Sequence, residues 1–320
     1  MPRHPLNEIL TPNLHRQFAS LICFGLMAAL AVGGVTLPAE AQTAKKPTKT
    51  TDTRTTADGW TIPITYYHST AGKDAAVVIL LHGEGQNQLV WEKNNLATRL
   101  QAENFAVITC DLRKHGEAKN QKEDGDKSLN ANDYKIMGSA SKASELETIQ
   151  EFLFDEHQAG RLNMAKTAIV AADNMAPVAL TWAMWDWLKK PYADAPTLAT
   201  RTPRGQTVRG IVFLSPSENV PGLSSAPAMK FFRMGDAVAM LFLNGTEDGS
   251  ARDVRNMIKQ VTTAKNKSMI YSESFPNMKL KGTDLIERVA KSEPLTVGLL
   301  KKHVQDLKVE WQDRSSRLDR

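Results

Sequence analysis

The order of apolar segments along the chain predicts an α/β fold, with a mostly parallel twisted sheet and helices on both faces. Continuous apolar runs, such as residues 75–81 and 237–243, are typical of strands buried on both faces of a parallel sheet. Segments with helical spacing, such as residues 141–157, lie between these runs. Because strands and helices alternate throughout residues 59–311, the sequence predicts one domain of this class there.

The individual elements follow from the same patterns. Strands are predicted at residues 60–68, 75–81, 105–110, 166–171, 208–214, 237–243 and 268–271, and helices at residues 89–103, 141–157, 177–188, 251–261 and 295–311. Pro63 has no N–H group to donate, so the first of these strands is expected at a sheet edge. Only about 22 residues separate Leu214 from Ala237, and the sequence therefore predicts no large lid domain after that strand.

The N-terminus has the features of a secretion signal. Arg16 precedes an uncharged apolar run at residues 18–37, and Ala39-Glu40-Ala41 matches an A-x-A cleavage site. Residues 1–41 are therefore predicted to be a signal peptide, and the mature protein to be periplasmic or extracellular. An uncleaved N-terminal helix is the alternative, because a run of ~20 apolar residues is long enough to span a bilayer.

The segments that flank the domain are polar. Residues 42–58 are rich in threonine and lysine and have too little apolar surface to fold, so a disordered linker is predicted. Residues 312–320 are predicted to be a flexible C-terminal tail. No second apolar run long enough to span a membrane follows the signal, so no membrane span is expected after cleavage.

Charge and motifs exclude several classes of function. The formal net charge is +5, but lysine and arginine are dispersed among acids, so no nucleic-acid partner is predicted. With Cys23 in the signal, Cys110 has no intramolecular partner and is expected to be a buried, inert thiol. The phosphate-loop, dinucleotide and zinc motifs are missing, so neither a cofactor nor a metal is predicted. A metal site formed by Asp111, His115 and Asp248 is a minor alternative. The sequence does not identify a partner, and a small-molecule or envelope ligand is the candidate that remains.

Four motifs follow predicted strands. They are His82-Gly83-Glu84-Gly85, Asp111-Leu112-Arg113-Lys114-His115-Gly116-Glu117-Ala118, Ala172-Asp173-Asn174-Met175-Ala176 and Asn244-Gly245-Thr246-Glu247-Asp248. The third connects a predicted strand directly to a predicted helix. A sharp strand–helix turn needs small residues two before and two after its apex. Ala172 and Ala176 meet that need when Asn174 is the apex.

Together the motifs resemble the α/β-hydrolase family over roughly residues 58–285. The second motif is similar to the D-x-R-G-H-G-x-S loop, whose role in the family is mainly structural. The resemblance implies that Asn174 stands at the nucleophile position and Asp248 at the acid position. It also implies that the backbone of Gly83, Glu84 and Met175 forms an oxyanion-like loop.

The resemblance extends to the fold but not to the catalytic residues. The amide of Asn174 cannot attack a carbonyl, residues 272–283 contain no histidine, and His303 is the only histidine after Asp248. The sequence therefore favours a secreted, catalytically inactive protein of hydrolase fold with a binding or structural role. Two alternatives remain open. One has Asp173 at the apex as an aspartate nucleophile, although the bulky Met175 would then lie two positions after the apex and crowd the contact between strand and helix. The other is an active serine hydrolase or esterase with a displaced site, which would use the residues Ser215 or Ser217 and His82 or His115.

Overall fold

A computed structural model describes residues 48–122, 125 and 128–320. Its eight-stranded sheet contains β1 (Lys49–Thr55), β2 (Thr61–Tyr67), β3 (Val77–Leu81), β4 (Ala106–Cys110), β5 (Thr167–Ala172), β6 (Val208–Leu214), β9 (Ala239–Gly245) and β10 (Ile270–Phe275). A separate hairpin consists of β7 (Asn219–Val220) and β8 (Leu223–Ser224). The predicted signal peptide, with Cys23, lies outside the described residues.

The strand order confirms the predicted mostly parallel sheet. The order across the sheet is β1-β2-β4-β3-β5-β6-β9-β10. Strands β3, β4, β5, β6, β9 and β10 are parallel, while β2 runs antiparallel to both β1 and β4. The chain moves from β3 to β4 on one side and returns to β5 on the other, so the carboxyl ends of β3 and β5 lie side by side.

Helices cover both faces of the sheet. They are α1 (Val90–Lys93), α2 (Leu96–Ala102), α3 (Ala131–Met137), α4 (Glu145–Gln158), α5 (Ala176–Leu188), α6 (Ala226–Phe232), α7 (Ala251–Val261), α8 (Asp284–Arg288) and α9 (Ser292–Leu300). Helix α9 continues into a π-helical turn, Lys301–Gln305. The observed helix therefore ends before residue 311, where the sequence predicted its end. No helix among the described residues is long and apolar enough to cross a membrane.

Alternation along the strands divides the core into two layers. In β3, Val77, Ile79 and Leu81 pack on the face that carries α3, α4, α5, α6 and α7, while Val78 and Leu80 pack on the face that carries α1, α2, α8 and α9. Successive side chains of a strand point to opposite faces, so a strand covered on both sides is apolar at every position. This pattern is the reason that the buried strands were recognisable in the sequence.

Strand β1 corrects two predictions. Residues 49–55 were expected in a disordered linker, but they pair antiparallel with β2. Their side chains are mostly exposed, so backbone hydrogen bonds rather than apolar burial hold them in place. Strand β2 is consequently internal, although Pro63 predicted an edge. Pro63 lacks an N–H group, but its carbonyl accepts a hydrogen bond from Asp111 N at 3.1 Å.

The C-terminal residues 312–320 are docked on the domain, which corrects the predicted flexible tail. The carbonyl of Gln312 accepts a hydrogen bond from His157 Nε2 at 2.8 Å. The side chain of Asp313 accepts one from Gln158 at 2.7 Å. Arg314 is only 6% exposed and donates to the carbonyl of Gly205 at 2.5 Å. Polar contacts of this kind give no apolar pattern, so the sequence did not reveal them.

Deleting residues 312–320 is expected to destabilise the domain. The deletion removes, among others, the three hydrogen bonds just described, which are partly or fully buried and contribute about 1 kcal/mol each. A loss of ~3 kcal/mol corresponds to a fall in Tm of roughly 6–12 °C for a domain of this size. Deletion of residues 318–320 is the control, since Leu318 is exposed. Equal Tm values for the full chain and the longer deletion would show that the tail is not docked.

Candidate functional site

The candidate site lies where the carboxyl ends of β3 and β5 meet. In open α/β sheets, ligands bind outside the carboxyl ends of strands at the point where the strand order reverses. Here the order reverses between β3 and β5, because β4 and β6 lie on opposite sides of that pair. The loop after β3 contains Gly83 and Glu84, and the turn after β5 contains Asp173 and Asn174.

Asp173 is the apex of the strand–helix turn. Its φ of 52° is left-handed, whereas Asn174 lies inside the helical turn Asp173–Met175. A left-handed conformation is strained for a residue other than glycine by roughly 1–2 kcal/mol. The predicted register, with Asn174 at the apex, is therefore wrong by one residue.

The burial of the neighbouring residues explains the register. Ala172 belongs to β5 and pairs with Leu214, so the strand runs one residue further than the sequence predicted. Met175 was expected to crowd the turn in this register. Instead its side chain is fully buried in the layer beneath α5. With Asp173 at the apex, the residue after the apex is Asn174, and Met175 does not occupy the predicted oxyanion position.

Two glycines enclose the Asp173 carboxylate. A Cβ atom added at Gly83 would lie 2.7 Å from Asp173 Oδ2, and one added at Gly282 would collide with the same oxygen. Gly282 also has a left-handed φ of 55°. Only glycine lets the two loops approach the carboxylate this closely. We call Gly83, Asp173 and Gly282 the glycine cradle.

Burial dominates the electrostatics of Asp173. Desolvation raises the pKa of its carboxyl to about 6, and the negative charges of Asp248 and Asp284 act in the same direction. Lys281 Nζ lies 3.4 Å from Oδ1 and lowers the pKa by a smaller amount. Asp173 Oδ1 accepts no hydrogen bond from the described residues. Because the folded pKa exceeds the ordinary 3.8, this group's contribution to stability is present at low pH and is lost as the pH rises through about 6.

Asp248, the predicted acid, lies in the turn after β9 and is fully engaged there. Its Oδ2 accepts hydrogen bonds from Ser215 Oγ at 2.6 Å and Gly245 N at 2.9 Å. Its Oδ1 accepts from Ser250 N at 2.8 Å and Ser250 Oγ at 2.7 Å. Both oxygens therefore stabilise the local turn, and neither orients a histidine.

The predicted oxyanion loop is also hydrogen-bonded internally. Glu84 N donates to Asn174 Oδ1 at 3.1 Å, and Gly83 N donates to Gln86 Oε1 at 3.1 Å. Asn174 Nδ2 donates to Glu84 Oε2 at 2.7 Å and to Tyr134 Oη at 2.5 Å. Burial and the nearby Glu84 raise the pKa of Tyr134, which keeps its hydroxyl protonated. We call Glu84, Tyr134 and Asn174 the amide plug, because it engages the Glu84 N–H that the hydrolase resemblance assigns to an oxyanion.

The candidate histidines have structural partners. His82 Nε2 accepts from Leu112 N at 3.2 Å, its Nδ1 donates to Gly83 O at 2.8 Å, and burial lowers its pKa to about 4. His115 Nδ1 donates to Arg113 O at 2.8 Å. His303 contacts Tyr271, at the amino end of β10 and therefore at the edge of the sheet opposite to the site.

The displaced serine site is not assembled. Ser215 Oγ donates a hydrogen bond to Asp248. Ser217 contacts the site only through its backbone N–H, which donates to Asp173 O at 3.1 Å. His82 hydrogen-bonds only with backbone groups, and so does His115. No hydrogen bond therefore joins either serine to either of these histidines.

Metal and thiol chemistry find no support in the described part of the chain. No group of three or more His, Cys, Asp or Glu side chains there is arranged to hold a metal ion. Asp111, proposed as a ligand in the minor alternative, accepts hydrogen bonds from the backbone N–H groups of Gln88 and Glu117 instead. Burial raises the pKa of Cys110, so the thiol stays protonated.

Two side chains at the site, Tyr134 and Lys281, were not predicted from the sequence. Tyr134 comes from α3, a short helix that the sequence did not predict, and it reaches Asn174 from 40 residues away along the chain. Lys281 lies in the loop where the resemblance predicts a histidine. Neither belongs to a motif, so only the folded chain shows them beside the apex.

Comparison with known proteins supports the fold alone. No family model matches the chain, and no curated protein matches it. Among solved structures, a Pyrococcus furiosus esterase aligns with a TM-score of 0.56 at 13% identity, covering 81% of this chain and 92% of the esterase. A CIB-like hydrolase of Thermoplasma acidophilum aligns with a TM-score of 0.53 at 14% identity, covering 80% of this chain and 99% of the hydrolase. The α/β hydrolase GrgF of a Penicillium species aligns with a TM-score of 0.54 at 10% identity, covering 80% of this chain and 99% of GrgF. The chain therefore has the α/β-hydrolase fold.

The glycine cradle predicts a specific energetic coupling. Replacing Gly282 by alanine is expected to lower the free energy of unfolding in two ways. The left-handed φ costs roughly 1–2 kcal/mol for a residue with a side chain. The new Cβ atom also collides with the Asp173 carboxylate, which lowers the free energy of unfolding further. In an Asp173→Ala background the second contribution disappears. Urea unfolding of the double-mutant cycle should thus give a coupling of about 1 kcal/mol or more.

Gly249→Ala is the matched control for this cycle. Its φ is also left-handed, at 86°, but an added Cβ meets nothing within 4 Å. Its effect on stability should therefore be the same with and without Asp173→Ala. If the coupling at Gly282 is no larger than that at Gly249, Asp173 does not lie in the cradle.

Proposed function

We propose that the chain is an exported protein of α/β-hydrolase fold that does not turn over hydrolase substrates and has a binding or structural role. One observation carries the proposal. The apex of the strand–helix turn presents a carboxylate, Asp173, and its cationic neighbour is Lys281 rather than a histidine.

The chemistry of acyl transfer supports the absence of turnover. A carboxylate that attacks an ester gives an anhydride, which needs an activated water for hydrolysis. Activation of a hydroxyl or a water requires a base within hydrogen-bond reach. Backbone groups engage both ring nitrogens of His82, and Asp248 is held by its own turn. His115 Nε2 accepts no hydrogen bond from the described residues, and no hydrogen bond joins His115 to Asp173 or Asn174. The Glu84 N–H, which would stabilise an oxyanion, is bonded to Asn174.

A second candidate function uses Asp173 as a nucleophile toward a saturated carbon. Its left-handed backbone and the Oδ1 atom, which accepts no hydrogen bond and has only the ion pair with Lys281, favour this reading. Attack would form an alkyl ester on Asp173 and release the leaving group with its electron pair. Hydrolysis of that ester needs a base that activates water. Both ring nitrogens of His82 are hydrogen-bonded to backbone groups, and no hydrogen bond joins His115 to Asp173. This candidate therefore predicts a single alkylation without turnover.

Two assays of the purified protein test the proposal. Its rate of p-nitrophenol release from short-chain p-nitrophenyl esters should not exceed the rate of the Asp173→Ala variant. A fluorophosphonate probe should not label it. Intact mass should not change after incubation with 1-bromobutane or an alkyl epoxide. A single adduct that Asp173→Asn removes, while the control Asp284→Asn retains it, would establish the second candidate. Ester turnover that survives Asn174→Ala but is lost on serine labelling would contradict the proposal and favour a displaced serine site.

Export is proposed from the arrangement of the N-terminal residues. Cleavage after Ala41 would leave residue 42 as the new terminus and would keep all of β1, which begins at Lys49. N-terminal sequencing of the protein from the periplasm or medium should therefore begin at Gln42. Recovery of the chain in the membrane fraction with its first residues intact would favour the uncleaved anchor.

A further inference from the structure

A cleft separate from the strand-end site lies between α4 and the connector that follows α5. Its volume is about 630 Å³, and none of its lining residues belongs to the glycine cradle or the amide plug. Small-molecule sites typically occupy ~300–1,000 Å³. The cleft is therefore large enough for a small organic ligand.

Three of the four cations that line the cleft are already paired. Lys189 Nζ lies 2.8 Å from Glu147 Oε1, and the same carboxylate accepts a hydrogen bond from Trp182 Nε1 at 2.8 Å. Two longer ion pairs of 3.6 Å each lie at the rim, Arg54 with Asp155 and Lys142 with Glu151. An anion that binds to these cations would have to compete with a carboxylate.

Arg204 is the exception. Its guanidinium stacks over the ring of Tyr192 at 5.2 Å, and no carboxylate of the described residues lies within ion-pair distance. Stacking leaves the N–H groups at the edge of the guanidinium plane free to donate. This end of the cleft therefore carries positive charge without a compensating acid.

Apolar surface adjoins the cleft's charged groups. Phe154 from α4, Met164 and Ala140 line the same cleft. The aromatic face of Tyr192 adds to this surface beside Arg204. A ligand with one charged end and an apolar body can bury the body here while its charged end reaches the guanidinium.

We propose that this cleft binds a small organic carboxylate with an apolar body. The planar guanidinium of Arg204 matches the two oxygens of a carboxylate, and the body packs against Phe154, beside the Tyr192 ring that Arg204 covers. One uncompensated cation suits one negative charge, whereas a phosphate monoester carries nearly two at neutral pH. Neutralising Arg204 in this way breaks no existing ion pair of the cleft.

Three probes separate the charge from the apolar body. Titration calorimetry of the mature chain with octanoate should show saturable binding. Acetate, which has the charge without the body, should bind at least tenfold more weakly. Octylammonium, which has the body with the opposite charge, should not compete. The substitution Arg204→Gln should weaken octanoate binding about tenfold, and Phe154→Ala should weaken it while leaving the weak affinity for acetate unchanged.

Arg201→Gln is the matched control, because Arg201 is a neighbouring arginine that does not line this cleft and donates to the carbonyl of Ala195. It should leave octanoate affinity unchanged. Arg204 is exposed, so Arg204→Gln should fold normally, which a thermal melt would verify. Undetectable octanoate binding, equal competition by octylammonium, or an unchanged affinity in Arg204→Gln would each overturn the proposal.

Discussion

The contact between the Asp173 carboxylate and the backbones of Gly83 and Gly282 determines how the carboxyl ends of the strands are arranged. It brings together the loop after β3, the turn after β5 and the loop after β10. A hydrogen bond from Gln86 to Thr283, at 2.9 Å, joins the first and the last of these directly. A side chain on either glycine would force the loops apart, so the site exists only because both residues are glycine.

Around this contact, the groups at positions that the hydrolase resemblance assigns to catalysis make hydrogen bonds within the chain. Asn174 hydrogen-bonds to Glu84 and Tyr134, and Asp248 holds the turn after β9. These side chains are only partly buried, and their hydrogen-bond partners lie within the chain itself. Donors and acceptors that are engaged within the chain are not available to a transition state, and this is the physical basis of the proposed absence of turnover.

Apolar patterning was sufficient to predict the fold, because parallel strands buried on both faces are continuously apolar. The same patterning predicted the apex of the turn one residue too late. Small residues lie two positions away on both sides of Asn174 but on only one side of Asp173, so the pattern favoured Asn174. Ala172 looked like a spacer but belongs to β5, and Met175 looked too large but packs into the core. The docking of β1 and of Arg314 depends on backbone and polar contacts, which leave no periodicity in a sequence. Tyr134 and Lys281 reach the site from distant segments, so the sequence gives no sign of them.

The central claim is that Asp173 is held, desolvated, at the apex of the turn. Carbon-13 NMR titration of the aspartate carboxyl groups, assigned with Asp173→Asn, measures this directly. A buried carboxylate in the cradle should titrate with a pKa of about 6. A pKa near the ordinary value of 3.8 would mean that Asp173 is solvated, and the cradle and the apex assignment would both be contradicted.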